Sequence, residues 1–185
     1  MSLHADARAI LSAWVAPDAE QDSLRRSYLT HLDARPDGML RSCHPDHITS
    51  SALIVRADEA LLLFHSKAGK WLQTGGHCEP DDANLAAAAL REAREESGVQ
   101  GLSVEPIPLR LSRHHVPFCG PQPDGGHHLD VQFLVLAPAD SEVSIANGGD
   151  EVRWVRLHPD AAPEPTDQDV RELIAAARSR LQGTP

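Results

Sequence analysis

The stretch from Gly75 to Val99 constrains the fold of this chain more than any other. Gly75-Gly76-His77-Cys78-Glu79-Pro80-Asp81-Asp82 is turn chemistry, and the run after it, Leu85 to Ser97, is rich in Ala, Leu, Arg and Glu. Those are the strongest helix formers, and Gly98 stands where a left-handed C-cap belongs. At about 100° per residue, Glu92 and Glu96 fall within about 40° of each other, Glu95 lies about 60° from Glu92, and Leu85 falls between Glu92 and Glu96. The carboxylates therefore share the apolar side with Ala88, Ala89 and Ala93, while Arg94 points away. Each like-charge pair at this spacing costs a few tenths of a kcal/mol on an exposed helix, and more when half-buried, so a compensating cation is expected. Hard oxygen ligands on one face suit Mg²⁺ or Mn²⁺, which complete their shells with water and phosphate oxygens. A solvated acidic face, with Arg91 and Arg94 as intrahelical partners, satisfies the same spacing.

Other elements can be placed around this helix. Ala7, Ile10, Leu11 and Trp14 recur at helical spacing, and Leu24, Tyr28, Leu29 and Leu32 repeat the pattern after Pro17. Residues 1–40 thus read as a helical extension, and residues 41–185 as the main domain. The apolar stripes of the extension fit a brace on the core, a lid or a homodimer contact alike. Ala52 to Val55 and Leu61 to Phe64 flank the polar turn Arg56 to Glu59, a hairpin signal. Ile107, Leu109 and Leu111 suggest a strand that Pro106 and Pro108 confine to a sheet edge. Val131, Phe133 and Val135 form a cleaner strand. Pro117 to Gly126 reads as a loop able to frame a pocket, Glu151 to Leu157 as a last strand, and Pro159 to Pro165 as a connector. Thr166, with Asp169 three residues on, predicts the start of a closing helix in capping-box fashion.

Composition narrows the function. At 185 residues, 41% of them apolar, the chain can bury one sizeable core. No run approaches the roughly 18 consecutive apolar residues of a membrane span, and the N-terminus lacks the apolar stretch of a signal peptide, so a cytoplasmic protein with no membrane partner is expected. The net charge of −10 repels a phosphate backbone and argues against long nucleic acid as a partner. A small polyphosphate remains accessible, because bound cations bridge carboxylates to phosphates. Cys43, Cys78 and Cys119 are odd in number and form no Cys-x-x-Cys pair, which reads as reduced thiols.

The segment from Gly76 to Val99 resembles the Nudix box, G-x5-E-x7-R-E-U-x-E-E-x-G-U with U a bulky aliphatic residue. Gly76, Arg91, Glu92, Glu95, Glu96, Gly98 and Val99 match, and Trp71-Leu72-Gln73-Thr74-Gly75-Gly76-His77 is similar to the family's approach to the box. The resemblance spans Ser50 to about Leu181. It implies an α/β fold, an α/β/α sandwich around a mixed sheet, here preceded by the helical extension. It also implies metal ligation by Glu92, Glu95, Glu96 and the Gly76 carbonyl, with Arg91 orienting the acids. The implied activity is divalent-metal-dependent hydrolysis of a phosphoanhydride in a small nucleoside-diphosphate-linked substrate, by water attack at phosphorus. Nucleotide sugars, dinucleoside polyphosphates and oxidised nucleoside triphosphates all fit that class. The general base varies in position across the family, which leaves Glu95, Glu96 and the distant Glu151 open; Glu79 is a weaker ligand candidate. A nucleotide-binding sensor without turnover is the alternative, and the intact Glu92, Glu95 and Glu96 argue for the enzyme.

The chain departs from the box in specific places. Counting from Gly76 puts Asp82 at the first Glu position, and eight residues rather than seven then precede Arg91; Ala93 is smaller than the usual aliphatic residue. Asp82 is expected as the helix N-cap, with the helix starting near Ala83. Cys43-His44-Pro45-Asp46-His47 and His77-Cys78 carry zinc-type donors, but their spacings match no finger, and they read as turn or surface residues. His114, His115, His127 and His128 flank the Pro/Gly loop, and Lys67 and Lys70 precede the box. All six can meet phosphate or base, or serve as ordinary loop residues.

Overall fold

The computed structural model describes residues 2–117, 119, 125–144 and 151–183. Two helices open it, α1 (Leu3–Ala13) and α2 (Ala19–Ala34), each started by a side-chain cap: Ser2 accepts from the Ala5 amide and Asp18 from the Gln21 amide. Next come β1 (Asp46–Arg56), β2 (Glu59–His65), β3 (Lys70–Leu72), β4 (Thr74–His77) and α3 (Leu85–Ser97). The chain closes with β5 (Ser103–Val104), β6 (Arg110–Val116), β7 (Gly126–Leu136), β8 (Val152–Arg156) and α4 (Gln168–Leu181). The strands form one mixed sheet in the order β3-β2-β1-β7-β5, with β4 beside β1, β6 beside β7 and β8 beside β2. The central β1–β7 pair is parallel, from Asp46 opposite His127 to Val55 opposite Leu136, and the other pairs are antiparallel.

Strand alternation sorts the core into two layers. Ile48, Ala52 and Ile54 of β1 join Leu129, Val131, Phe133 and Val135 of β7 under α1, α2 and α3. Leu53 and Val55 join Leu62, Leu134 and Val155 under Val170, Leu173, Ile174 and Ala177 of α4. This is the expected α/β/α sandwich. Both faces of β1 and β7 are buried, as in sheets covered by helices on two sides. No described helix is long and apolar enough to cross a membrane.

The N-terminal helices are packed into the first core layer, with Ala7, Leu11, Tyr28 and Leu32 at 0–1% exposure. They also close a sheet edge. Gln21 Nε2 donates to the Leu111 carbonyl at 3.0 Å, its Oε1 accepts from the Leu111 amide at 2.7 Å, and Tyr28 Oη donates to the Ser112 carbonyl at 2.6 Å. One glutamine thus mimics a neighbouring strand on the open side of β6.

Several boundaries differ from the sequence expectation. β1 begins at Asp46, six residues before Ala52, because its first half carries buried His47, Thr49, Ser50 and Ser51, with Ile48 as its one aliphatic residue. The expected strand around Ile107 is split: Ser103–Val104 and Arg110–Val116 both pair with β7, Pro106 and Pro108 lie between them, and Ile107 is exposed. His114, His115, His127 and His128 are strand residues in register, not loop residues. Helix α4 starts at Gln168, with Asp167 rather than Thr166 at the cap, and the Thr166 hydroxyl instead donates to the Pro163 carbonyl. Phe118 and residues 120–124 of the Pro/Gly loop lie outside the described residues, while Gly126 already belongs to β7.

Replacing Gln21 with Ala leaves the Leu111 amide and carbonyl without their partners, and stability should fall by about 1–3 kcal/mol. Urea unfolding at constant m-value measures this, and an unchanged midpoint would show that solvent serves the β6 edge as well as Gln21 does.

Candidate active site

Two glycines let helix α3 come down on the sheet. A Cβ at Gly75 would lie 2.3 Å from Ser51 Cβ and 2.8 Å from its Cα, so that position tolerates no side chain, and one at Gly76 would lie 2.6 Å from Glu92 Oε1 and displace that carboxylate. Through that gap the Glu92 carboxylate rests on Gly76, and the Gly75 amide donates to Glu96 Oε2 at 2.9 Å. Ser50 Oγ donates to the Leu85 carbonyl at 2.9 Å and fixes the start of the helix to β1. At the far end Gly98 adopts φ 64° and ψ 6° and returns its amide to the Arg94 carbonyl, the left-handed stop expected from sequence.

Arg91 organises the acids. Its Nε and Nη2 donate to the two Asp82 oxygens at 3.0 and 3.1 Å, its Nη1 to Glu92 Oε1 at 2.9 Å and Glu95 Oε2 at 3.1 Å, and its Nη2 also to the His77 carbonyl at 3.0 Å. The planar guanidinium matches a carboxylate in this two-point fashion. Burial pushes the Glu92 carboxyl above its ordinary range, against the pull of Arg91. Glu95 is solvent-facing and Glu96 half-buried.

Asp82 is not the helix cap. Asn84 is, accepting from the Ala87 amide at 2.8 Å, and the helix starts at Leu85 rather than near Ala83. The Asp82 side chain, 4% exposed, faces Arg91 and also accepts from the Glu79 amide at 2.7 Å. The longer loop is absorbed by this Glu79-to-Asp82 turn, which brings a carboxylate to Arg91 from outside the helix. The Leu85 amide, one of the unpaired donors of the first turn, is satisfied from α1, where Asp6 Oδ2 accepts at 3.0 Å.

The structure therefore brings together Gly76, Arg91, Glu92, Glu95 and Glu96. Glu151, just ahead of β8, is exposed, and its Oε1 accepts from Arg153 Nη2 at 2.5 Å, on the strand rather than on α3. Lys70 lies in β3 and pairs with Asp167, so it is committed to the N-terminus of α4; Lys67 sits on an exposed turn.

Sequence reasoning missed a polar floor on the α4 side of the sheet. There Thr49 Oγ1 and Ser51 Oγ donate to the two Asp130 oxygens at 2.9 and 2.5 Å, and burial pushes the Asp130 carboxyl up. Both polar side-chain atoms of Gln132 and the Oε1 of Gln73 are buried without a partner among the described residues. The available signal was Asp130, an acid inside the apolar strand Leu129 to Leu136. The zinc-type residues also sort differently from expectation. Cys43 and Cys78 are free thiols, with Cys78 in the first core layer and pushed up to about 12 by burial. His47 and His77 are not turn or surface residues but neighbours, their ring centroids 5.0 Å apart.

With this geometry in place, comparison with known proteins agrees. A family model described as the NUDIX domain matches residues 45–177. The chain belongs to the NUDIX family and is a pyrophosphohydrolase of that class. Similar solved structures include a NUDIX-family hydrolase from Clostridium perfringens, 24% identical over 72% of this chain and 95% of that one, with a TM-score of 0.56. A MutT protein from Methanosarcina mazei is 21% identical over 76% and 99%, at 0.57. An Ap4A hydrolase from C. elegans is 19% identical over 74% and 98%, also at 0.57. Likeness at these identities is a likeness of fold. No curated protein sequence matches the chain.

Replacing Asp82 with Asn keeps the shape but removes the charge facing Arg91. Stability should fall by about 1–3 kcal/mol, less than for a fully buried pair because the Arg91 side chain is 21% exposed. Chemical denaturation with chelator present measures it, and no change would mean that Glu92 and Glu95 alone hold the guanidinium.

Proposed function

We propose that this chain hydrolyses the phosphoanhydride bond of a small nucleoside-diphosphate-linked substrate by water attack at phosphorus. The observation that carries this reading is the seating of Glu92 and Glu96 on Gly75 and Gly76 of β4, which brings carboxylate oxygens of α3 against the strand backbone. Hydrolases of this family generally use divalent metals, and the donors here fit one: hard oxygens from Glu92, Glu95 and Glu96, with the Gly76 carbonyl on the neighbouring strand β4. Mg²⁺ or Mn²⁺ held there would neutralise the bridging phosphates and lower the pKa of an attacking water.

The chain's own groups supply the rest. Arg91 fixes Glu92 and Glu95 in position, and the Gly75 amide fixes Glu96, so the acids are oriented before substrate arrives. A carboxylate takes the water's proton as the oxygen attacks. Glu95, Glu96 and Glu151 are the candidates for that step, Glu95 and Glu151 being the solvent-facing ones. Beyond the phosphates, the amide of Gln132 and the Oε1 of Gln73, unpartnered among the described residues, offer a donor and acceptors of the kind that read a nucleobase edge.

The test is turnover on a panel of nucleotide sugars, dinucleoside polyphosphates and oxidised nucleoside triphosphates with Mg²⁺ or Mn²⁺. Glu96→Gln should lower kcat by several orders of magnitude and raise the cation concentration required. Glu151→Gln should lower kcat by roughly 10²- to 10⁴-fold at unchanged cation demand if it is the base, whereas near-normal turnover assigns the step to the helix. Parent-like rates from both variants on every accepted substrate would overturn the mechanism.

A further inference from the structure

Strand register gathers three histidines far apart in sequence. In the parallel β1–β7 pair His47 stands opposite His128, and in the antiparallel β1–β4 pair His77 stands opposite Thr49, two residues along from His47. Residues opposite each other, and residues two apart, share a sheet face. All three imidazoles therefore project from one face, and each pair of ring centroids is 5.0 Å apart. Cys119, from the connection between β6 and β7, completes the group: its Sγ lies 3.7 Å from His47 Nε2 and 3.5 Å from His77 Nε2.

We propose that His47, His77, His128 and Cys119 form a tetrahedral site for a zinc-class transition metal, separate from the carboxylate site on α3. With Zn–N near 2.0–2.1 Å and Zn–S near 2.3 Å, a tetrahedron places N and S about 3.6 Å apart and two N atoms about 3.4 Å apart. The two N···S distances already match. One donor atom from each of the four residues lies within 4.8 Å of all the others, so side-chain shifts of about an ångström, judged against that tetrahedron, close the set.

Hydrogen bonding within the group does not satisfy it. A neutral imidazole has one N–H and one lone pair, and a thiol has a single proton to share between two imidazoles. The His128 Nε2 is buried with no partner among the described residues. His47 Nδ1 lies 3.0 Å from the Cys43 carbonyl, which fixes the proton there and turns the Nε2 lone pair inward; ligating histidines are commonly held this way.

Three imidazoles and a thiolate select zinc over the hard Mg²⁺ and Mn²⁺. Four protein donors leave no open position, so the role is structural. The metal would tie the β6–β7 connection, through Cys119, to the strand that carries Gly75 and Gly76. On binding, the Cys119 thiol proton leaves to solvent as the S–metal bond forms.

The test uses the full chain, stripped with chelator and titrated with Co²⁺. One equivalent should bind with the visible bands of tetrahedral Co²⁺ and a thiolate-to-cobalt charge-transfer band, and one equivalent of Zn²⁺ should displace it. Cys119→Ser should abolish the charge-transfer band and weaken Zn²⁺ binding by on the order of 10²-fold or more, since even second-shell losses reach 10²-fold. His128→Gln should lose the tetrahedral bands, with circular dichroism confirming the fold. The double variant Glu92→Gln/Glu96→Gln should retain both features, which keeps this outcome distinct from that of the hydrolysis reading. Zn²⁺ should also protect Cys119 in the parent from alkylation, read by peptide mass. Absence of tetrahedral Co²⁺ bands in the parent, or their persistence unchanged in the Cys119 and His128 variants, would overturn the proposal.

Discussion

Helix α3 brings three glutamates to one side, and they repel one another before any ligand arrives. The Arg91 guanidinium meets that cost inside the protein: it donates to Glu92, Glu95, Asp82 and the His77 carbonyl at once. Two of these partners lie on the helix, one on the loop before it and one at the end of β4, so a single side chain ties three segments together. Hydrogen bonds between ionised groups at this depth are stronger than those at the surface, and they have direction. The acid cluster is therefore not a surface accident of a Glu-rich helix. Its geometry is set by a cation that cannot lose its charge, where Gly75 and Gly76 of β4 let the carboxylates approach the strand.

The same helix depends on the N-terminal segment. Asp6 accepts from the Leu85 amide, and Leu11 and Tyr28 are buried in the core that α3 shares. The family match begins at residue 45, so this contact comes from outside it. A carboxylate near a helix N-terminus also meets the positive end of the helix dipole. The extension thus bears on the chemistry without touching it, by fixing where α3 begins and hence where Glu92 and Glu96 fall relative to β4.

The parts legible in sequence are those where local rules and the fold agree. The body and end of α3 follow from its composition and Gly98, and the β1–β2 turn follows from its polar residues between apolar runs. The failures have physical causes. Strand β1 was recognised only from Ala52 onward because His47, Thr49 and Ser51 face a buried polar floor, where alternation of apolar and polar residues carries no signal. Asp82 reads as a cap because its side chain is of capping type, but Arg91, nine residues on, competes for it and wins, and Asn84 takes the cap. His47 and His77 stand out in the sequence as zinc-type donors, but their assembly with His128 does not, because the three are joined by strand register rather than by spacing: positions 47, 77 and 128 meet only once β1 lies between β4 and β7. Such breaks in local pattern are expected where a sequence serves a site rather than a core.

Strand β4 ends with two neighbouring residues that face opposite ways. Gly76 opens toward the carboxylates of α3, and His77 turns through the sheet toward His47 and His128. One pleat thus separates oxygen donors from nitrogen and sulfur donors, and alternation across the strand keeps the sets apart although a single peptide bond joins them. Donor chemistry then does what distance cannot: carboxylates favour hard cations, and imidazole with thiolate favours zinc. The Gly76–His77 peptide bond is the covalent link between the two sets, and the His77 carbonyl beyond it accepts from Arg91. A shift of the His77 backbone would therefore move both the imidazole that faces His47 and His128 and the carbonyl that Arg91 holds.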